Sequence, residues 1–376
     1  MEFDTDRYSR HRLVDWFDQD EVNSIRALVV GAGAIGNEVL KNLALLGVGR
    51  LTIVDLDRIE VHNLTRSVLF RESDIGRGKA EVAAERVREL LPEATVSFLE
   101  GPLEKTLTPS LVKQHSVVFS CLDNFEARLA LDEMCQLARV NFVNGAIDAR
   151  YATVESFPYQ AGMRCACYSC NLPPSAFQRI AQRYSCGWLR RVGLVERKVP
   201  TTIVTSSLVA SMMVSWGLRL GRNKDGQPTQ SRRLLADTFS GTSSTSELAK
   251  NELCPSCSQT QEHVELLPWK DPLKLSSTGT AGLLHTRLPT EIVFSAKCAA
   301  CGFDASGTVR LGSKVRSHST DARVCPSCGE QSVAIDARDH GTLNELVELA
   351  GGRGPDVPYA LVDIGDTTFC LEIDNE

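Results

Sequence analysis

The stretch VVGAGAIGNEVLKNLALLGVGRLTIVDLD, residues 29–57, allows few folds. An apolar run ends in Gly31, Gly33 and Gly36 at G-x-G-x-x-G spacing, and an amphipathic run follows. A second apolar run then closes on Asp55, about 20 residues beyond the glycines. Glycines at these places let backbone N–H groups and a helix N-terminus approach an anion. An acid at the end of the next strand is placed to accept hydrogen bonds from ribose hydroxyls. Both features suit a dinucleotide as well as ATP, so at this point a dehydrogenase and an enzyme that cleaves a nucleotide stand side by side.

The same alternation continues through residues 26–150, where Val-, Ile- and Phe-rich strands are separated by segments with apolar residues at three- and four-residue spacing. That pattern predicts an α/β domain with a doubly wound, Rossmann-like parallel sheet, whose ligands bind beyond the carboxyl ends of the strands. Residues 171–199 carry Pro, Gly and several Arg without clean periodicity and are expected to form a crossover segment over the sheet. The longest apolar segment, 201–220, is interrupted by Ser and Thr and reads as a buried helix rather than a membrane span. The expected domains are 1–265, carrying the nucleotide fingerprint, and a small unit over 270–376.

A net charge of −6 leaves no basic footprint for nucleic acid or an anionic membrane. The N-terminus, MEFDTDRYSRHRL, lacks the apolar run of an export signal, so a cytoplasmic location is expected. In that compartment thirteen cysteines point to metal ligation or catalysis rather than disulfides. Eight fall in C-x-x-C pairs. Cys167 and Cys170 with Cys254 and Cys257 would make one structural zinc site of four thiolates, with Cys165 as a competing ligand. Cys298 and Cys301 with Cys325 and Cys328 would make a second, a zinc ribbon with a glycine after each knuckle, stapling a thin core. Cys186 is unpaired and flanked by Arg183, Arg190 and Arg191, a setting that favours thiolate.

Beyond the fingerprint come Asp57, Asn63, Arg66 and Lys79, then Asp123 and Asn124 at the end of a later strand. Triphosphate chemistry with a carboxylate needs arginine, lysine and a divalent metal to neutralise the approach, and hydride transfer does not. Asp123 stands where a ligand for a hard cation would face bound phosphates.

Taken together, RYSRH at 7–11, the glycine loop, DLD with NLTR, GRGK and CLDN resemble the ThiF/MoeB family and the adenylation domains of ubiquitin-like activating enzymes over roughly residues 5–260. SCLDNFEAR and VPTTIVTSSLVAS are most similar to the homodimeric activating enzyme of the UFM-type modifier. The resemblance implies that Asp55 binds ribose, Arg66 and Lys79 contact phosphates, Asp123 holds magnesium and Asn63 lines the site. It implies that Arg10 reaches the nucleotide of a second subunit, hence a homodimer, and that Cys186 takes the acyl group as a thioester. The implied substrates are ATP and a ubiquitin-like β-grasp protein, with a conjugating enzyme as the partner that receives the thioester. A sulfur-carrier adenylating enzyme that stops at the adenylate is the nearest alternative, and a nucleotide-holding subunit without turnover is the non-enzymatic one.

Overall fold

The computed structural model describes residues 6–162, 164–173, 201–222, 228–254, 256–258, 263–269, 284–306, 311–312, 324–350 and 355–373. Cys186 and most of the expected crossover segment lie outside them. The chain divides into two compact units, the larger running to Gln259 and the smaller formed chiefly by Thr260–Glu376.

In the larger unit, α1 (Gln19–Ser24) leads into β1 (Arg26–Val30), α2 (Ala34–Leu46), β2 (Arg50–Asp55), α3 (Lys79–Leu90) and β3 (Thr95–Glu100). Short helices α4 (Leu103–Thr106) and α5 (Pro109–Lys113) precede β4 (Val117–Ser120), α6 (Phe125–Ala138), β5 (Asn141–Ile147) and β6 (Tyr151–Phe157). The long helix α7 (Ile203–Gly221), β7 (Arg232–Asp237) and β8 (Thr242–Glu247) complete the unit. Strand order is β3-β2-β1-β4-β5-β6-β7-β8. The first five strands are parallel, and β6, β7 and β8 extend the sheet antiparallel, an addition the sequence pattern did not announce. Because β2 and β3 lie to one side of β1 and β4 and β5 to the other, the strand order reverses at β1, where such folds open a ligand crevice.

Helix α7 is the expected apolar helix. By length and composition it could cross a membrane, but half of it is buried against the sheet. Two glycines permit the close approach: a Cβ at Gly217 would strike the Phe119 ring on β4, and one at Gly145 would strike the Met213 side chain. Ser207 donates to buried Glu38 at 3.0 Å, and Lys41 pairs with the same carboxylate, tying α7 to α2.

His115, just before β4, is buried. Its Nδ1 lies 3.0 Å from the Leu111 carbonyl and its Nε2 2.9 Å from the Thr52 hydroxyl. A carbonyl only accepts, so Nδ1 carries the proton and Nε2 accepts from Thr52. Burial lowers the imidazole pKa. The unfolded chain therefore binds the proton more readily, and the stability contributed by neutral His115 is complete above about pH 6.5 and lost as pH falls below it. Calorimetric melting from pH 7.5 to pH 5 should show a steeper loss in the wild type than in His115→Gln; parallel curves would count against this account.

The smaller unit has its own sheet, ordered β11-β10-β12-β13-β9. It comprises β9 (His263–Pro268), β10 (His285–Cys298), β11 (Val333–Thr342), α8 (Leu343–Ala350), β12 (Tyr359–Ile364) and β13 (Thr367–Glu372). Strand β9, at the expected domain boundary, is an edge strand paired parallel with β13. The core gathers Ile292, Phe294, Leu343, Leu346, Val357 and Val362.

Candidate nucleotide site and cysteine clusters

The glycine loop joins β1 to α2 at the reversal of strand order. Gly31 has φ +96°, and a Cβ there would collide with the Cys121 carbonyl at the end of β4. A Cβ at Gly36 would overlap the Gly31 carbonyl oxygen, whereas the Cβ position of Gly33 faces open space. Gly33 is the N-cap of α2 and offers no side-chain cap, so the first-turn amides keep their donors for an anion.

Asp55 braces this loop. Its Oδ2 accepts from the Ala32 amide at 2.5 Å and its Oδ1 from the Asp57 amide at 2.7 Å. Burial raises its pKa while these two amides oppose the shift. Each oxygen retains a lone pair that a ribose hydroxyl could use. Asp57 in turn holds Lys79, whose Nζ donates to Asp57 Oδ2 at 2.8 Å and whose amide donates to the Asp57 carbonyl at 2.9 Å. Lys79 is buried at the first turn of α3. Loop, Asp55, Asp57 and Lys79 thus form one hydrogen-bonded line.

Asn63 is buried in a capping box, its Oδ1 accepting from the Glu60 amide at 2.9 Å. Arg66 donates to the His62 carbonyl at 2.7 Å. Both belong to a turn anchored on α2, where the Leu69 amide donates to Asn37 Oδ1 at 2.9 Å. Asp123 is exposed on the turn after β4, with Asn124 donating to it at 3.2 Å and capping α6 through the Ala127 amide at 2.8 Å. Arg10 is exposed and stands apart. Its neighbour Arg7 donates to the Leu90 carbonyl at the far end of α3 from Lys79, about 16 Å along that helix.

Four sulfurs from Cys167, Cys170, Cys254 and Cys257 lie within 4.8 Å of one another, and so do those of Cys298, Cys301, Cys325 and Cys328. Neighbouring sulfurs are 3.5–3.7 Å apart in the first cluster and 3.7 Å in the second. A tetrahedron with zinc–sulfur bonds of about 2.3 Å has edges of about 3.8 Å, so both sets fit zinc. Cys165 is buried outside the first cluster, its thiol on the Gly162 carbonyl. In the second, Gly302 and Gly329 follow their knuckles at φ +72° and +75°, as the tight turns require. Metal analysis should return two zinc ions per chain, and Cys328→Ser should lower the count to one.

Residues that the sequence reading passed over support these centres. Asp132 on α6 is fully buried, accepts from the Tyr159 hydroxyl and from Gln136 at 2.8 Å, and burial pushes its carboxyl up to about 8. Gln136 also reaches Ser256, between two cluster cysteines, at 3.2 Å. No motif marks either residue.

A glycine loop at the reversal of a parallel sheet, backed by an acid and a buried lysine, gives an α/β fold the geometry of a nucleotide site, beside two four-cysteine clusters that fit zinc. The ThiF family model matches residues 8–256, and the chain belongs to that family. It is 39% identical over 145 residues to the SAMP-activating enzyme E1 of Haloferax volcanii, covering 38% of this chain and 54% of that protein. To the molybdopterin-synthase adenylyltransferase of Salmonella typhimurium it is 33% identical, covering 44% and 66%. To the sulfur carrier protein adenylyltransferase of Thermus thermophilus it is 28% identical, covering 70% and 95%. The alignments with the first two span about half to two thirds of those relatives. Among solved structures, E. coli MccB with ATP shares the fold, with TM-score 0.55 at 20% identity over 68% of this chain and 75% of that one. These relatives are of the molybdopterin-synthase, SAMP-activating and sulfur-carrier types and do not single out the narrower UFM-type likeness.

Proposed function

We propose that the chain adenylates the C-terminal carboxylate of a small ubiquitin-like or sulfur-carrier protein. The observation that carries this reading is the hydrogen-bonded line from the glycine loop through Asp55 and Asp57 to Lys79, which ties a buried lysine to the loop that opens α2. The activities for which these relatives are named point the same way.

In the reaction the carboxylate oxygen bonds to the α-phosphorus of ATP as the bond to the β-phosphate oxygen breaks, giving acyl adenylate and pyrophosphate. Two anions must meet, so neutralisation and in-line positioning are the main tasks. Lys79 has two N–H donors beyond the one on Asp57 and turns them to phosphate oxygens; Arg66 adds a second cation. Asp55 holds the ribose and keeps the loop in shape. The exposed Asp123 would hold a magnesium ion, which would supply further charge neutralisation when bound. Arg10 of a second copy completes the cluster in a homodimer, because a chain's own Arg10 segment lies at the other end of α3. A cytoplasmic location fits the free thiols.

The finer reading adds a thioester on Cys186 and transfer to a conjugating enzyme. Every described cysteine outside the two clusters, Cys121, Cys135, Cys165 and Cys370, is buried, which favours Cys186 as the acceptor in this reading. Exchange of labelled pyrophosphate into ATP, dependent on a β-grasp protein, tests the adenylation. A reducible adduct that forms on the wild type and is lost in Cys186→Ala, with exchange retained, supports the second step; exchange without any adduct selects the sulfur-carrier alternative.

A further inference from the structure

Arg128, on the first turn of α6, is a cation in an unusual place. It is 9% exposed and forms no ion pair with a carboxylate among the described residues. Leaving a guanidinium buried without a counter-charge is costly, and such a residue is kept where its donors do a specific task. Here Nη2 donates to the Leu122 carbonyl at 2.6 Å and to the Gly145 carbonyl at 3.2 Å, while Nε has no partner. Leu122 immediately precedes Asp123 in the turn after β4; Gly145 lies on β5 beside it. The guanidinium therefore staples the turn that presents Asp123 to the adjacent strand.

The other side of the same turn is fixed against the nucleotide loop. The Cys121 amide donates to the Val30 carbonyl at 2.8 Å, and the Cys121 carbonyl is packed so closely on Gly31 that no Cβ would fit. Asn124 closes the turn by capping α6. Asp123, exposed and held among the described residues by Asn124, depends on these anchors for its aim.

We infer that Arg128 is a positioning residue of the nucleotide site, acting through the Leu122–Asn124 turn to hold the Asp123 carboxylate where a nucleotide-bound divalent cation needs it. The inference deepens the adenylation reading and rests on it for the cation. Arg128, being buried, is assigned a role through this turn rather than through contact with substrate. Lysine can reach one of the two carbonyls, and methionine reaches neither.

The test uses the full chain with two readouts. Hydrogen exchange of the peptide 121–127 without ligand should quicken about tenfold in Arg128→Met and less in Arg128→Lys, with zinc content unchanged. Binding of a fluorescent ATP analogue, titrated with magnesium, should need about tenfold more metal in Arg128→Met and in Asp123→Asn. The double variant should match Asp123→Asn alone, since removing the carboxylate removes what Arg128 positions. A merely structural role would instead give additive losses, and that result overturns the inference. Should Arg128→Met lose its zinc or its fold, Arg128→Lys decides by the same two measurements. Wild type that binds the nucleotide with no dependence on magnesium would count against the adenylation reading. In that case unchanged exchange at 121–127 in the variants overturns the positioning, and quickened exchange sustains it.

Discussion

Carrier-dependent pyrophosphate exchange in Lys79→Met is expected to fall by about 10²–10³-fold, the usual consequence of removing one charge-stabilising donor from a preorganised site. Methionine keeps the buried stem and removes the ammonium. Asp57, whose side chain is 55% exposed, loses its partner but stays solvated, so the melting temperature should change little. Loss of exchange with a preserved melt separates a chemical role from a structural one. Exchange within a few-fold of wild type would mean that the Lys79–Asp57 pair only fastens the start of α3.

The second large effect is expected at Gly36. A Cβ there overlaps the carbonyl oxygen of Gly31, a residue whose amide is bonded to Val54 on β2 and whose other side packs on Cys121, so the backbone has little room to step aside. Gly36→Ala should therefore destabilise the larger unit by about 2–4 kcal/mol and abolish nucleotide binding. Gly33→Ala is the control: its Cβ position is open, so the fold should survive while a ligand pressed against the loop feels the methyl. Denaturant melts and nucleotide titration of the two variants distinguish the effects. Equal stability of both would show that the loop is softer than its contacts indicate.

Much of this was legible in the sequence because local patterns suffice to state it. The glycine spacing and flanking apolar runs give the β1–α2–β2 unit, and the C-x-x-C pairs give both sulfur clusters, although they do not say that Cys165 stays out. Strand β8 was not legible: TSSTSE is polar and exposed throughout, and its strand conformation comes from pairing with β7 rather than from its own residues. Arg128 and Asp132 look like ordinary polar positions of a helix. Their burial is set by Gly145 and Tyr159, whose proximity only the tertiary fold creates. Asn63 carries its role in two parts: its carbonyl oxygen shapes a turn, and no motif separates that from ligand contact.

The first sulfur cluster joins positions 87 residues apart, Cys167 with Cys254 and Cys170 with Cys257. With an ion in place, the backbone between them becomes a ring closed by coordination instead of a disulfide. A protease that nicked this ring once would release nothing, since both halves remain fastened to the same ion; a chelator would then remove that fastening. Metal supply thus decides whether, after a cut in this region, the halves are held by coordination as well as by the β6–β7 pairing and the packing of α7.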